Sequence, residues 1–133
     1  MPRFTISKEF HFSASHRLFH LLEEQPEHPC GRDHGHNYVV RVAISGEQLN
    51  SDGFIVDYNN LDWFKEYIDR EVDHRNLNEV MGGSYETTAE NLAKHFYTMV
   101  EEWIKTEMRL DEYVFCEFVE VEETPKTRAR YGR

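Results

Sequence analysis

The strongest constraint on the fold is the alternation of apolar and polar residues in two stretches of the chain. In residues 4–16, most apolar side chains share one parity with His16, and polar side chains fill the other. In residues 34–46, His34 and His36 are followed at every second position by apolar residues. A period of two is typical of strands with one buried face. The sequence therefore predicts two half-buried strands, each with histidine at one end of its apolar face.

Further along the chain the hydrophobic period becomes helical. Apolar residues at spacings of three and four predict helices within residues 61–72 and 89–103. Residues 113–124 are rich in Val, Phe and Tyr and predict a third strand. The basic tail beyond them is either a fourth strand or a loose end. Residues 20–33, which contain two prolines among charged residues, predict a loop.

The order of these elements predicts the fold class. Strand, strand, helix, helix, strand indicates an α+β fold, with an antiparallel sheet of three to four strands and two helices packed on one face. We expect residues 1–133 to form a single domain. A small sheet leaves its edge strands open, which favours oligomerisation through those edges.

The composition limits the kinds of binding partner and the cellular compartment that we expect for the protein. A formal net charge of −10 argues against binding to nucleic acid or to an anionic membrane surface. Two cysteines, Cys30 and Cys116, are too few for a disulfide framework. The first residues lack the apolar core of a signal peptide, and no apolar run reaches membrane-spanning length. We therefore expect a cytoplasmic protein.

Three histidines indicate a metal site. If the first two strands pair antiparallel, the end of the first lies beside the start of the second, and side chains two apart on a strand point the same way. His16, His34 and His36 would then converge at one end of the sheet. Three imidazoles with an open fourth position form a catalytic zinc site, whereas structural zinc sites use four protein ligands. The alternative is that each histidine binds a backbone group, but the convergence of three favours a metal.

Two further features can carry acid–base chemistry. Cys30 lies in the polar loop near the predicted metal, and a nearby cation lowers the pKa of a thiol and makes the thiolate available as a base or nucleophile. Cys116 lies in an apolar strand, where a thiol is usually inert. Asp73 precedes His74 where the first helix ends, and a carboxylate there can orient an imidazole for proton transfer. A solvated helix end is the alternative for this pair.

Two carboxylates remain open to more than one interpretation. Glu123 shares the apolar face of the third strand with Val119 and Val121, so its charge needs a partner. A ligand that presents paired N–H and NH₂ groups would supply one, and a salt bridge or simple exposure is the alternative. Thr87 and Glu90 match a capping box at the start of the second helix, which by itself accounts for Glu90.

Six stretches together resemble one enzyme family. They are, in order, FSASHRL, CGRDHGHNY, GFIVDYNNL, DHRNLNE, TTAENLA and VEVEET. This set, which extends from Phe12 to Thr124, is similar to the 6-pyruvoyltetrahydropterin synthase / 6-carboxytetrahydropterin synthase family. The resemblance implies the tunnelling fold, or T-fold, in which subunits join their sheets edge to edge. It also implies a homohexamer with active sites at subunit interfaces.

The resemblance implies a role for each candidate residue. The implied zinc ligands are His16, His34 and His36. The implied catalytic residues are the thiol of Cys30 and the proton-shuttling pair Asp73 and His74. The implied substrate-binding residues are Glu123, which holds the amino–pyrimidine edge of the pterin, and Glu90 and Thr88, which line the same pocket.

The implied substrate is 7,8-dihydroneopterin triphosphate. Zinc would act as a Lewis acid at the side-chain hydroxyls, Cys30 would abstract a proton from the side-chain carbon, and His74 would relay protons. Triphosphate leaves, and cleavage of the side chain releases acetaldehyde and yields 6-carboxy-5,6,7,8-tetrahydropterin. The three residues between Cys30 and His34 are similar to the spacing in the queuosine-pathway branch of the family.

Two alternatives remain at this point. One is 6-pyruvoyltetrahydropterin synthase, which eliminates triphosphate without cleaving the side chain. The other is a non-catalytic zinc-binding assembly module. A triphosphate substrate also requires a local basic patch on this acidic chain. The candidates, which the sequence does not rank, are Arg17, Arg32, Arg75, Lys126, Arg128 and Arg130.

Overall fold

The computed structural model describes residues 2–83 and 86–133, and within them the strands form one mixed sheet. The strands are β1 (Phe4–His16), β2 (His34–Gly46), β3 (Arg75–Asn76), β4 (Val114–Thr124) and β5 (Thr127–Gly132). Their order across the sheet is β3-β1-β2-β4-β5. All neighbours are antiparallel except β3, which pairs in parallel with Ala14 and Ser15 of β1.

Two of the helical segments are long, and both end in a π-helical turn. The α-helices are α1 (Phe19–Glu24), α2 (Asp62–Tyr67), α3 (Leu77–Val80) and α4 (Ala89–Trp103). The π-helical turns are Ile68–Val72, which continues α2, and Ile104–Met108, which continues α4. Short 3₁₀ turns lie at Pro29–Gly31 and Tyr58–Leu61. No helix of the described residues is both long enough and apolar enough to cross a membrane.

The core lies between one face of the sheet and the two long helical segments. Phe64 of α2 packs edge-on against Phe10 of β1, with ring centroids 4.9 Å apart, and against Phe96 of α4 at 5.6 Å. The apolar parity of the strands is buried here, as Val40 and Val121 illustrate. The opposite parity carries polar side chains, so burial on one face explains the alternation in the sequence.

The predicted α+β class, both central strands and both long helices are confirmed, but the predicted number of strands is wrong. The basic tail forms β5, the fourth strand that the sequence left open. The fifth strand is β3, which was not predicted and which pairs in parallel, so the sheet is mixed rather than antiparallel throughout. Arg128 and Arg130 of β5 pair with Glu122 and Glu120 of β4, at 3.5 and 3.1 Å. A strand held by ion pairs on the polar face shows no hydrophobic alternation.

One predicted loop contains a helix. Residues 20–33 were expected to lack regular structure, but α1 begins at Phe19 and runs to Glu24, and a 3₁₀ turn covers Pro29–Gly31. None of the residues in α1 is buried. A six-residue helix without a buried face leaves no apolar stripe in the sequence, which explains why periodicity did not predict it.

Candidate metal centre

The register of β1 and β2 brings three imidazoles to one end of the sheet. His16, the last residue of β1, pairs directly with His34, and Ala14 pairs with His36. The ring centroid of His16 lies 4.6 Å from that of His34 and 5.4 Å from that of His36. The centroids of His34 and His36 are 4.9 Å apart. One ligand atom from each histidine and one carboxylate oxygen of Glu123 all lie within 4.8 Å of one another. These four residues, the histidine cluster, can therefore hold a metal ion.

Backbone carbonyls fix the orientation of two of the rings. Nδ1 of the buried His16 lies 2.9 Å from the carbonyl oxygen of Thr87, and Nδ1 of His34 lies 2.7 Å from that of Arg32. A carbonyl only accepts, so Nδ1 carries the proton in both rings and donates it. Nε2 is then left with its lone pair, which is the arrangement usual for histidines that bind metals.

The residues present fit a divalent metal ion. Nε2 of His16 and Nε2 of His36 are both buried, and neither makes a hydrogen bond with any residue that the structure describes. Nε2 of His36 does lie 3.0 Å from Oε1 of Glu123, but this close contact lacks the geometry of a hydrogen bond. Buried nitrogens without partners are costly, and a metal ion would satisfy both. Imidazole nitrogens with a carboxylate are the ligands that zinc and neighbouring transition metals prefer.

The electrostatics of the cluster favour neutral imidazoles. Burial lowers the pKa of His16, although the Thr87 carbonyl opposes this, and nearby His34 lowers it further. Burial likewise lowers the pKa of His36, against the opposing charge of Glu123. A neutral imidazole is the form that binds a metal. Burial therefore favours, in His16 and His36, the protonation state that metal binding requires.

Glu123 occupies the position that its parity predicts. It lies two residues beyond Val121, which pairs with Val40 of β2, and its side chain is partly buried beside His36. As a fourth ligand, this carboxylate would close the metal site. If it turns to a bound ligand instead, the fourth position stays open.

Cys30 lies outside the histidine cluster, in the 3₁₀ turn Pro29–Gly31. The turn is tied to the end of β1 because the backbone N–H of Leu18 donates to the carbonyl of Cys30 at 2.9 Å. The backbone N–H of Cys30 donates to Nδ1 of His28 at 3.1 Å. The thiol is free and partly buried. The loop that carries Cys30 is thus anchored two residues beyond His16.

Asp73 and His74 form the predicted pair, and the backbone of β1 holds it. Oδ2 of Asp73 lies 3.0 Å from Nδ1 of His74, and Oδ1 accepts the backbone N–H of Ser13 at 2.9 Å. The Ser13 N–H and the His74 ring lower the pKa of Asp73. His74 has a left-handed backbone (φ 61°) and a mostly exposed side chain. Within one chain the pair lies outside the histidine cluster, but His74 and His36 line the same cavity of about 470 Å³.

The predicted capping box is wrong by one residue. The N-cap of α4 is Thr88, whose hydroxyl accepts the backbone N–H of Asn91 at 3.2 Å. Thr87 is instead buried, and both its carbonyl and its hydroxyl face Nδ1 of His16. Glu90 is exposed in the first turn of α4 and lies outside the histidine cluster. The roles of Thr88 and Glu90 toward a ligand stay predictions.

The ion pairs separate the six basic candidates. Arg128 and Arg130 are paired with carboxylates of β4, and Arg32 lies 3.9 Å from Glu27. Three have no carboxylate partner among residues 2–83 and 86–133: Arg17, Arg75 and Lys126. Of these, Arg75 lines the cavity that it shares with His36 and His74.

Sequence reasoning missed two residues that contact the cluster. Thr87 holds the ring of His16, but its position before an N-cap suggested only a helix start. Tyr38 lies next to His36 on the same face of β2, with ring centroids 5.5 Å apart. Its buried hydroxyl has no hydrogen-bond partner in the described part of the chain. The parity of HGHNY could have pointed to Tyr38, because it shares the face of both histidines.

A mixed sheet with three converging imidazoles and a carboxylate at one end defines an α+β protein equipped to hold a metal ion. The family model described as 6-pyruvoyl tetrahydropterin synthase matches residues 5–133. The chain belongs to the 6-pyruvoyl tetrahydropterin synthase family.

Individual relatives agree with this assignment. The chain is 30% identical to 6-carboxy-5,6,7,8-tetrahydropterin synthase of Bacillus subtilis, over 96% of this chain and 84% of the relative. It is 31% identical to a putative 6-pyruvoyl tetrahydrobiopterin synthase of Caenorhabditis elegans, over 98% of this chain and 96% of the relative. The solved structure of Caenorhabditis elegans 6-pyruvoyl tetrahydropterin synthase superposes with a TM-score of 0.79 at 28% identity, covering 100% of this chain and 97% of that one. The predicted family and T-fold are confirmed.

Proposed function

We propose that this protein is a zinc-dependent lyase that converts 7,8-dihydroneopterin triphosphate into 6-carboxy-5,6,7,8-tetrahydropterin, with release of triphosphate and acetaldehyde. The observation that carries the proposal is the histidine cluster itself. Two of its buried nitrogens have no hydrogen-bond partner among the residues described, and a carboxylate lies beside them. In a chain of this family, that arrangement is best explained by a metal next to a pterin-binding carboxylate.

His16, His34 and His36 would hold the metal through Nε2. A zinc ion bound there would supply Lewis-acid chemistry at the hydroxyls of the substrate side chain. Glu123 would accept the N–H and NH₂ groups of the pterin edge and orient the ring. Because Glu123 lies 3.0 Å from His36, a ring held by this carboxylate would present its side chain toward the three imidazoles.

Cys30 and the Asp73–His74 pair would move the protons. The thiolate of Cys30 would take the proton from the side-chain carbon, and His74 would return protons to the substrate. Asp73 accepts a backbone N–H with one oxygen and contacts His74 with the other, so it can fix the tautomer of that ring. The exposure of His74 and its place beside the cavity support a role toward a ligand rather than toward the core.

We infer that the active form is a homohexamer with sites at subunit interfaces. Support comes from the sheet edges, because β3 pairs only with Ala14 and Ser15 of β1. The remaining length of that β1 edge, and the outer edge of β5, have no partner strand among the described residues. Sedimentation of the purified protein as a monomer at the concentrations used for assay would exclude this assembly.

The spacing of the site residues supports the carboxy product. Three residues separate Cys30 from His34, and the Bacillus subtilis relative bears the name 6-carboxy-5,6,7,8-tetrahydropterin synthase. From this product we infer a place in the pathway to queuosine and other 7-deazapurines, and from the low cysteine content we infer a cytoplasmic location. The alternative, 6-pyruvoyltetrahydropterin synthase, is favoured by the name of the Caenorhabditis elegans relative.

The product decides between the two reactions. Purified protein of known metal content is incubated with 7,8-dihydroneopterin triphosphate, the pterin is identified by mass spectrometry and acetaldehyde is trapped. We expect the 6-carboxy product and acetaldehyde in equal amounts. A 6-pyruvoyl product without acetaldehyde would assign the alternative. Complete absence of turnover by the zinc-loaded protein would favour the non-catalytic module.

Glu123→Ala is expected to weaken pterin binding and to leave the metal in place. Loss of the carboxylate removes two charge-assisted hydrogen bonds, so the dissociation constant for neopterin should rise at least about 10-fold. Neopterin fluorescence gives the binding curve, and elemental analysis gives the metal content. The matched control is Glu122→Ala, because Glu122 binds Arg41 on the opposite face of β4. Unchanged binding in Glu123→Ala would move the pterin-binding role to another residue.

Arg75 is our candidate for binding the triphosphate. The cavity that it lines includes Ser13, Ser15 and Asn37 and contains no Asp or Glu among its lining residues. Arg75→Ala should therefore raise KM for the triphosphate substrate by about 10-fold and leave neopterin binding unchanged. Lys126→Ala, which removes another cation without a carboxylate partner in the described residues, serves as the control. Equal KM values for Arg75→Ala and the wild type would exclude the assignment.

A further inference from the structure

The hydroxyl of Tyr38 is a buried polar group that the packing of the core does not use. Tyr38 is 1% exposed, and its hydroxyl makes no hydrogen bond within residues 2–83 and 86–133. Its ring stacks on Phe12 with centroids 4.8 Å apart, and it lies edge-on to His16 at 6.2 Å and to His36 at 5.5 Å. Phenylalanine would make all of these ring contacts without burying an unpaired hydroxyl.

An unpaired buried hydroxyl lowers the stability of the folded chain, because it gives up its hydrogen bonds to water without replacement. Buried tyrosines therefore normally have a partner for the hydroxyl. Another tyrosine of this chain follows that rule, since Tyr97 donates to Glu101 at 2.9 Å. The hydroxyl of Tyr38 thus suggests a partner that comes within hydrogen-bond reach only when the site is in use.

The strand register places that hydroxyl near Glu123. The last pair between β2 and β4 at this end of the sheet is Val39 with Glu122, so the next residues, Tyr38 and Glu123, are level with each other. Tyr38 and Glu123 also share the face that carries His36. A phenol is protonated at neutral pH and can donate, and a carboxylate can accept several hydrogen bonds at once.

We propose that Tyr38 is a positioning residue that donates its hydroxyl proton to the carboxylate of Glu123 when a pterin is bound. In the structure Oε1 of this carboxylate lies 3.0 Å from Nε2 of His36. A carboxylate that turns from His36 to the pterin edge can accept two hydrogen bonds from the ring and a third from Tyr38. This inference rests on the proposed role of Glu123 and adds the residue that fixes its bound orientation.

The test combines stability, metal content and binding in Tyr38→Phe. We expect stability in urea without ligand to be equal to or greater than that of the wild type, and the metal content to be unchanged. The dissociation constant for neopterin should rise about 10-fold, the effect of losing one hydrogen bond to a charged group. The control, Tyr97→Phe, should show the opposite pattern, with lower stability and unchanged binding.

A double-mutant cycle with Glu123→Gln identifies the partner. If Tyr38 acts through Glu123, then Tyr38→Phe should change neopterin binding much less in the Glu123→Gln background. Equal effects in both backgrounds would contradict the proposal, as would wild-type binding by Tyr38→Phe. So would a clear loss of stability with no effect on binding, because it would mean that the hydroxyl is structural. Failure of the wild-type protein itself to bind neopterin would instead overturn the proposed function.

Discussion

Replacing Cys30 with alanine is expected to abolish most turnover while the metal stays bound. Removal of a catalytic base typically lowers the rate by about 10²–10⁴-fold, and the thiol is our only candidate for the first proton abstraction. The metal should remain because Cys30 lies outside the histidine cluster. Turnover of 7,8-dihydroneopterin triphosphate and elemental analysis of the same preparation measure the two quantities.

The second cysteine provides the control for this experiment. Cys116 is buried, burial raises the pKa of its thiol, and Sγ donates to the carbonyl of Phe118. Cys116→Ala should therefore lower stability and leave the rate per folded molecule unchanged. Wild-type turnover in Cys30→Ala would remove the thiol from the reaction. Such a result in a protein that still bound zinc would favour a different base.

Replacing His34 with alanine is expected to release most of the metal. Two imidazoles and one carboxylate would remain to bind the metal. Loss of a hydrogen bond that supports a ligand lowers metal affinity by about 10–100-fold, and loss of the ligand itself should lower it further. After dialysis against a weak chelator, elemental analysis should find far less than one equivalent of zinc in the variant.

His11→Ala is the matched control for His34→Ala. His11 belongs to the same pair of strands but lies on the polar parity of β1, with a largely exposed side chain. This variant should keep the metal content of the wild type. A full equivalent of zinc in His34→Ala would exclude His34 from the ligand set.

The convergence of the histidines could be predicted because it depends on short-range rules. The alternation in residues 4–16 and 34–46 matches β1 and β2 at both ends. Antiparallel pairing of two such strands brings the end of one to the start of the other, and parity then decides which side chains meet. His16 opposite His34 follows from these rules alone, and so does the position of Glu123 on the inner face of β4.

Other features depend on contacts between distant residues that carry no local pattern. β5 is held by Arg128 and Arg130 against two glutamates of β4. β3 is a strand because Arg75 and Asn76 pair in parallel with Ala14 and Ser15 of β1, 61 residues earlier. Thr87 could not be separated from Thr88 by sequence, because either threonine can cap a helix. These features arise from tertiary structure, which periodicity does not encode.

Anomalous X-ray scattering at the zinc absorption edge, measured on crystals of the zinc-loaded active protein, is the most direct test of the metal centre. We expect one strong peak per chain, about 2.0–2.1 Å from Nε2 of His16, His34 and His36. Zinc found on other side chains, or no peak between these three rings in protein that retains full turnover, would contradict the assignment.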